Sequence, residues 1–289
     1  MLLPRVDRTE FKFLIPLSMR DEVIEVVEQH TGYDEEAGGS SQYPIISQYY
    51  DNNHRDCYWE KQRGQRSRRK LRIRVYGSND TEIPPTTFIE VKHKCDGRGV
   101  KRRLRLPMED ALELVEGGTT KMLEDGGELS RYERMVVDEI ISLVKQRDFK
   151  FLCTMRYDRQ AFVGGNDAPD LRITFDTGIA CRFEKKPLTA DDQNFEHYLL
   201  DSDHCIMEVK TNSVVPIWLR QLVGEKKLVR RSFSKFCTAL ERHDPVVREA
   251  IYGSNTGAVE TDIRNNLTHS DSTVFSGKVS KEPQAVRNP

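Results

Sequence analysis

Segment after segment of this chain alternates apolar and charged residues with a period of two, and most of the charged positions are Lys or Arg. That alternation marks β-strands with one apolar and one charged face. Arg8, Glu10 and Lys12 share one side of a first segment, with Phe11 and Phe13 on the other. Arg72 and Arg74 alternate with Leu71, Ile73 and Val75. Glu90, Lys92 and Lys94 share a side of segment 86–94, and Lys101, Arg103 and Arg105 follow. Arg172, Thr174 and Asp176 alternate with Leu171, Ile173 and Phe175, and Glu208 and Lys210 with Met207 and Val209. The apolar faces require a cover, which the helical stretches of the chain can supply. The charged faces have two possible homes. They are the solvated outside of a twisted sheet laced with salt bridges, or they line a closed barrel, which at about eight strands can hold a ligand. Two features favour the bore. Cations outnumber acids on these faces, so internal pairing cannot satisfy them all. Arg-x-Arg also sets two guanidiniums ~7 Å apart on one face, a spacing suited to adjacent phosphates. So many enclosed cations are costly when unpaired, and a polyanion with a metal completes them.

Between these segments, Ser18 is placed to cap a helix over 19–30. Residues 31–43 read as a loop, 44–52 as a strand and 62–70 as a basic loop. Helical stretches are expected near 108–116 and 131–146. Strands are expected at 149–163, 170–176, 179–184 and 204–211, and helices at 216–227 and 233–242. The expected fold is α+β: a closed eight-stranded antiparallel β-barrel with helices packed outside, formed by residues 1–245. The remainder, 246–289, becomes rich in Ser, Asn, Thr and Gly after Gly253 and is expected to be a disordered tail.

Composition narrows the function. Lys plus Arg number 45 and Asp plus Glu 46, a net charge of −1, which argues against a bulk nucleic-acid binder. No apolar run approaches the ~20 residues of a membrane helix, and the N-terminus lacks a secretory core. The six cysteines are scattered without Cys-x-x-Cys spacing, as free thiols of a reducing cytoplasm would be. A cytoplasmic protein is therefore expected. No Walker A, His-Glu-x-x-His or dinucleotide glycine pattern is present. The basic run from Arg63 to Lys70 reads first as a solvated loop and second as a guide for a polyanion.

Taken in order, Arg8-x-Glu10-x-Lys12, Leu71-Arg72-Ile73-Arg74, Ile89-Glu90-Val91-Lys92, Tyr157-x-Arg159-x-Ala161-Phe162, Leu171-Arg172-x-x-x-Asp176-Thr177, Met207-Glu208-Val209-Lys210 and Phe233-Ser234-Lys235-Phe236 form a specific set. Over about residues 5–243 the chain resembles the vacuolar-transporter-chaperone (VTC) polyphosphate polymerase domain of the triphosphate tunnel metalloenzyme superfamily. The resemblance implies an eight-stranded tunnel that cleaves the γ-phosphate of ATP and extends a polyphosphate chain with Mn²⁺ or Mg²⁺. By position it implies that Lys12, Arg72, Arg74, Lys92, Arg159 and Arg172 grip phosphates. Glu208 would hold the metal, Tyr157 would line the wall and Lys235 would approach one mouth. The wider superfamily begins with Glu-x-Glu-x-Lys. Arg8 in place of the first Glu favours the polymerase branch and removes one possible metal ligand.

Phosphoryl transfer asks mainly for in-line positioning and neutralised oxygens. The residues can supply both: Glu208, with Glu10 or Glu90, as hard metal ligands, the arginines on consecutive phosphates, and Lys12, Lys92, Lys210 and Lys235 on the remaining charge. Arg8, Lys94 and Arg103 are further candidate substrate contacts. The expected ligands are ATP and inorganic polyphosphate, with no nucleic acid. Two alternatives stand beside polymer synthesis: a tripolyphosphate or nucleoside triphosphatase, and a non-catalytic polyphosphate-binding module.

Overall fold

The period-two segments form one antiparallel sheet in the computed structural model, which describes residues 9–34, 42–77, 86–119 and 129–253. Its strands are β1 Thr9–Pro16, β2 Thr31–Tyr33, β3 Tyr43–Asp51, β4 Ser67–Tyr76, β5 Thr86–Cys95, β6 Arg98–Arg105, β7 Lys150–Gly164, β8 Arg172–Arg182, β9 His197–Tyr198 and β10 His204–Thr211. The helices are α1 Leu17–Glu28, α2 Asp56–Gln62, α3 Met108–Gly117, α4 Arg131–Lys145, α5 Ile217–Glu225, α6 Lys235–His243 and α7 Pro245–Tyr252. The strand order is β1-β10-β8-β7-β3-β4-β5-β6, with β2 on β7 and β9 on β8.

The α+β class and the antiparallel sheet agree with the sequence reading, but hydrogen bonds do not close the barrel. Among the described residues β1 and β6 are the two ends of the ladder. The reason lies in the chain after α5. Arg231 N–H donates to the Lys12 carbonyl at 2.8 Å, and Arg230 bridges to Phe13. That segment takes the edge of β1 that a pairing with β6 would need. The sheet nevertheless curls: Lys92 on β5 lies within electrostatic reach of Glu10 and Lys12 on β1 and of Glu208 on β10. The result is a deep groove with a seam between its first and last strands.

The outer, apolar face is covered as expected. Val23, Ile24 and Val27 of α1 and Leu219, Leu222 and Val223 of α5 pack on Phe13, Ile15, Ile173, Phe175, Met207 and Val209. Leu71, Ile73, Val75, Ile89 and Val91 are buried in a second cluster with Leu114 of α3 and Val136, Ile140 and Leu143 of α4. A capping box fixes the start of α4: Ser130 accepts from Glu133 N–H while the Glu133 carboxylate accepts from Ser130 N–H. On this outer side Arg69 and Arg102 hold Glu139 of α4 at 2.7 Å each.

Several local expectations shift. Ser18 lies inside α1 and makes no cap bond, because the helix starts directly after Pro16. The expected loop 62–70 is strand from Ser67 onward, where Arg68, Arg69 and Lys70 pair with β5. The two strands expected at 170–176 and 179–184 are the single β8. Gly178, at φ +57°, carries the chain through a register shift against β7. The region expected as tail from 246 begins within α7, and its remainder from 254 lies outside the described residues.

Candidate active site: the concave face

Register decides which side chains meet. Lys12 is opposite Glu208, which is opposite Thr174, and Glu10 is opposite Lys210, which is opposite Arg172. Arg159 is opposite Asp176, Arg74 is opposite Ser47 and Phe88, and Arg72 is opposite Tyr49 and Glu90. Side chains alternate along a strand, so all of these residues project from one face. Helices α1, α3, α4 and α5 cover the other, and the charged face is therefore the inside of the groove.

On the β4–β5 side, Arg72 binds Glu90 at 2.6 Å and donates to the Tyr49 hydroxyl at 2.9 Å. Glu90 also faces Lys101 at 3.4 Å. Burial would raise the Glu90 carboxyl, but Arg72, Arg74 and Lys101 outweigh it and hold it far below the carboxylate range. Arg74 is only 6% exposed. It donates to Ser47 Oγ at 2.9 Å, to the Tyr157 hydroxyl at 3.1 Å and to the Tyr76 hydroxyl at 3.5 Å, and among the described residues no carboxylate is in ion-pair contact with it. Tyr49 reports the resulting field. Burial alone would raise its phenol, yet Arg72, Arg74 and Lys70 bring it down to about 8. Lys92 is open to solvent but crowded by protein, as in a water-filled groove. Burial and the charges of Arg72 and Lys12 lower its pKa against the pull of Glu10 and Glu208.

The β1–β10–β8–β7 side is balanced instead. Glu208 pairs with Lys210 at 2.9 Å and Lys12 at 3.9 Å, and Lys12 with Glu10 at 3.1 Å. The carboxyl of Glu10 also reaches that of Glu208. Burial pushes the Glu208 carboxyl up, but Lys210 and Lys12 overcome this and hold it well below its usual value. Burial lowers Lys210 to about 8, only partly opposed by Glu208 and Glu10. Arg159 grips Asp176 with two bonds, 2.7 and 2.8 Å. Lys235 adds a third contact to Asp176 at 2.5 Å and lies over the Tyr157 ring at 4.4 Å.

That last contact shows how α6 enters. Ser234 caps the helix, accepting from Cys237 N–H. Its first turn lies within the groove: Lys12 Nζ donates to the Phe233 carbonyl at 3.0 Å, and Phe236 packs on Tyr49 at 5.3 Å between ring centres. Lys70 Nζ sits 4.0 Å above the Phe236 ring. Thus α6, unlike the covering helices, closes one end of the groove from within and brings Lys235 onto its inner face.

The candidates are not all gathered in one place. Lys12, Arg72, Arg74, Lys92, Arg159, Lys210, Lys235, Glu10, Glu90, Glu208 and Tyr157 share the groove. Arg172 is on the same face at its far end, tied to Asp34 at 2.7 Å. Arg103 is exposed and lies over the Phe88 ring at 4.5 Å. Lys94 pairs across strands with Arg68 near the β5–β6 turn. Arg8 lies outside the described residues. Glu90, tied to Arg72 and Lys101, does not join the Glu10–Glu208 pair. The sequence reading left Asp176, Tyr49, Ser47 and Tyr76 out of the site. The signal for Asp176 was available, since it falls at even spacing from Arg172 and Thr174. A separate group, Asp201, Asp203 and His204, sits where the chain enters β10; its two carboxylates are exposed.

The comparisons with known proteins agree with the residue set. The VTC domain family matches residues 7–243. Comparison with curated protein sequences gives no match. Among solved structures, the chain is similar to a putative adenylyl cyclase from Hippeastrum whose dominant activity is described as triphosphatase. The identity is 17%, covering 81% of this chain and 94% of that one, with a TM-score of 0.45. It is also similar to a putative adenylate cyclase from Bacillus halodurans at 10% identity, covering 81% and 96%, with a TM-score of 0.45. The family match spans nearly all of the described fold and includes every described candidate residue of the groove, so the chain belongs to the VTC domain family.

Proposed function

We propose that this protein is a metal-dependent phosphotransferase that makes inorganic polyphosphate from the γ-phosphate of ATP within the groove. The observation that carries the reading is Arg74: a buried guanidinium held by three hydroxyls and, among the described residues, in ion-pair contact with no carboxylate, Glu90 being bound by Arg72 instead. A buried charge without a counter-ion is unfavourable, and a phosphate oxygen would neutralise it with charge-assisted bonds. Arg72, Lys92 and Lys12 continue the positive field toward the Glu10–Glu208 pair.

The donor set there suits a divalent cation. Glu10 and Glu208 converge on Lys12, at 3.1 and 3.9 Å, and their oxygens are the hard ligands Mg²⁺ and Mn²⁺ prefer. Glu208 and Glu10 would hold the ion, which when bound polarises phosphoryl oxygens. The chain's own residues do the rest. Arg72 and Arg74 orient the phosphates, Lys12 and Lys210 neutralise charge beside the carboxylates, and Asp176 positions Arg159 and Lys235.

The acceptor distinguishes synthesis from hydrolysis. One observation favours the second reading, a triphosphatase: β1 and β6 are not joined by hydrogen bonds, and an unclosed barrel would give water a route to the groove. Incubating the protein with ATP and Mn²⁺ separates them. Long chains on a stained polyacrylamide gel support synthesis, and orthophosphate alone supports hydrolysis. Tight polyphosphate binding with neither product would reduce the protein to a binding module.

A further inference from the structure

The groove is not uniform along its length. On β4 and β5, the residues facing inward toward the turn that precedes β6 are cationic: Arg68, Lys70, Lys92 and Lys94. At the opposite end the inward positions are aromatic. Tyr76 and Phe88 lie edge to face with 5.8 Å between ring centres, and Tyr43 follows at 6.4 Å from Tyr76. Phe88 and Tyr76 are only partly buried, whereas the phenylalanines of the outer face, Phe13 and Phe175, are 1% exposed. The Arg103 guanidinium stacks on Phe88 at 4.5 Å and is itself exposed.

From this arrangement we infer that Phe88, with Arg103 above it, is the stacking platform for the base of a nucleoside triphosphate. The inference rests on the reading of the groove as a triphosphate site and adds what that reading leaves open: which end the nucleoside occupies. Aromatic rings and arginine planes both stack on bases. A partly open ring roofed by an exposed guanidinium can admit a base between them, which a closed core contact cannot. Register fixes the polarity. Arg74 is directly opposite Phe88, and Glu90 with its partner Arg72 is the next inward pair, ~7 Å along the strands. A base on Phe88 therefore brings the first phosphates to Arg74 and directs the terminal one inward, past Arg72 and Lys92 toward Lys12 and the Glu10–Glu208 pair. The nucleoside enters at the Tyr76–Phe88 end, opposite the end closed by α6. Stacking carries no hydrogen-bond code, so ATP and GTP are held alike.

The test compares two ligands that share the phosphates and differ in the base. Calorimetric titration of the full chain with ATP and with inorganic tripolyphosphate, at fixed Mg²⁺ and salt, is run on the wild type, Phe88→Leu and Phe88→Trp. Phe88→Leu keeps an apolar side chain of similar size. It is expected to weaken ATP about tenfold while leaving tripolyphosphate unchanged, and Phe88→Trp is expected to retain wild-type affinity for ATP. Unaltered ATP affinity in Phe88→Leu, or equal loss for ATP and tripolyphosphate, overturns the stacking assignment alone. Failure of the wild type to bind either ligand overturns the reading of the groove along with it.

Discussion

Arg74 and Arg159 are both buried guanidiniums on the inner face of one sheet, 6% and 7% exposed, and they are stabilised in opposite ways. Arg159 has a two-pronged carboxylate partner in Asp176, which Lys235 also grips. Arg74 has Ser47, Tyr76 and Tyr157 hydroxyls, which take up three of its five N–H hydrogens without cancelling its charge. A satisfied ion pair has little to gain from a passing anion, whereas a cation held only by neutral donors has much. The two halves of the groove therefore have separate tasks. In the β7–β8–β10–β1 half the charges are paired within the protein and hold α6, whereas in the β3–β4–β5 half Arg74 keeps an excess of positive charge, where the proposed function puts the phosphates.

The largest effect expected from this contrast is on stability. Asp176→Asn leaves Arg159 and Lys235 buried without a counter-charge and should cost about 3–5 kcal/mol, read from urea unfolding. An unchanged midpoint would mean that Asp176 is no anchor. Arg74→Ala should do the reverse, leaving the unfolding midpoint near wild type while lowering kcat/KM for ATP turnover about 10²-fold, the loss typical of one charge-stabilising donor.

A pH series sharpens the comparison. The Tyr49 phenol, near 10 when unfolded, is drawn to about 8 in the folded protein by Arg72, Arg74 and Lys70, which overcome its burial. Its folded pKa is depressed, so the unfolded chain binds more protons between pH 8 and 10. Stability should therefore rise with pH through that window, by on the order of 2 kcal/mol. The contribution is present above the unfolded value and lost as pH falls through about 8. Lys210, also lowered to about 8 but by burial, acts with the same sign. Tyr49→Phe should flatten the rise measured by urea unfolding at successive pH values and leave the Lys210 share. The smallest effect expected comes from Ser47→Asp, which gives Arg74 the kind of partner that Arg159 has. Tripolyphosphate affinity should fall about tenfold with little loss of fold, as followed by calorimetry and thermal melting; unchanged affinity would separate the charge of Arg74 from binding.

How much of this could be read from the sequence follows from range. Period-two alternation is local, and it identified the charged faces of β1, β4, β5, β6, β8 and β10 with the residues that line the groove. Closure is not local. It depends on which segment takes the free edge of β1, and residues 230–231, which carry no strand pattern, take it. The metal set divides for a similar reason. Glu10, Glu90 and Glu208 look equivalent along the chain, but register places Glu90 beside Arg72 and leaves Glu10 beside Glu208. Asp176 was visible as a member of a charged face. Its anchoring role was not, because Lys235 reaches it from a helix 59 residues further on. Tyr49, Ser47 and Tyr76 gave no signal beyond their place in β-strands; only the Arg72 and Arg74 side chains give them a role.

The central claim is that the inner face around Arg74 receives a chain of phosphates. Its most direct test is calorimetric titration of tripolyphosphate into the wild type, Arg74→Ala and Arg102→Ala, the last removing a guanidinium from the outer face. The expected result is saturable binding that Arg74→Ala weakens about 10²-fold and Arg102→Ala leaves intact. Equal affinity in all three proteins would contradict it.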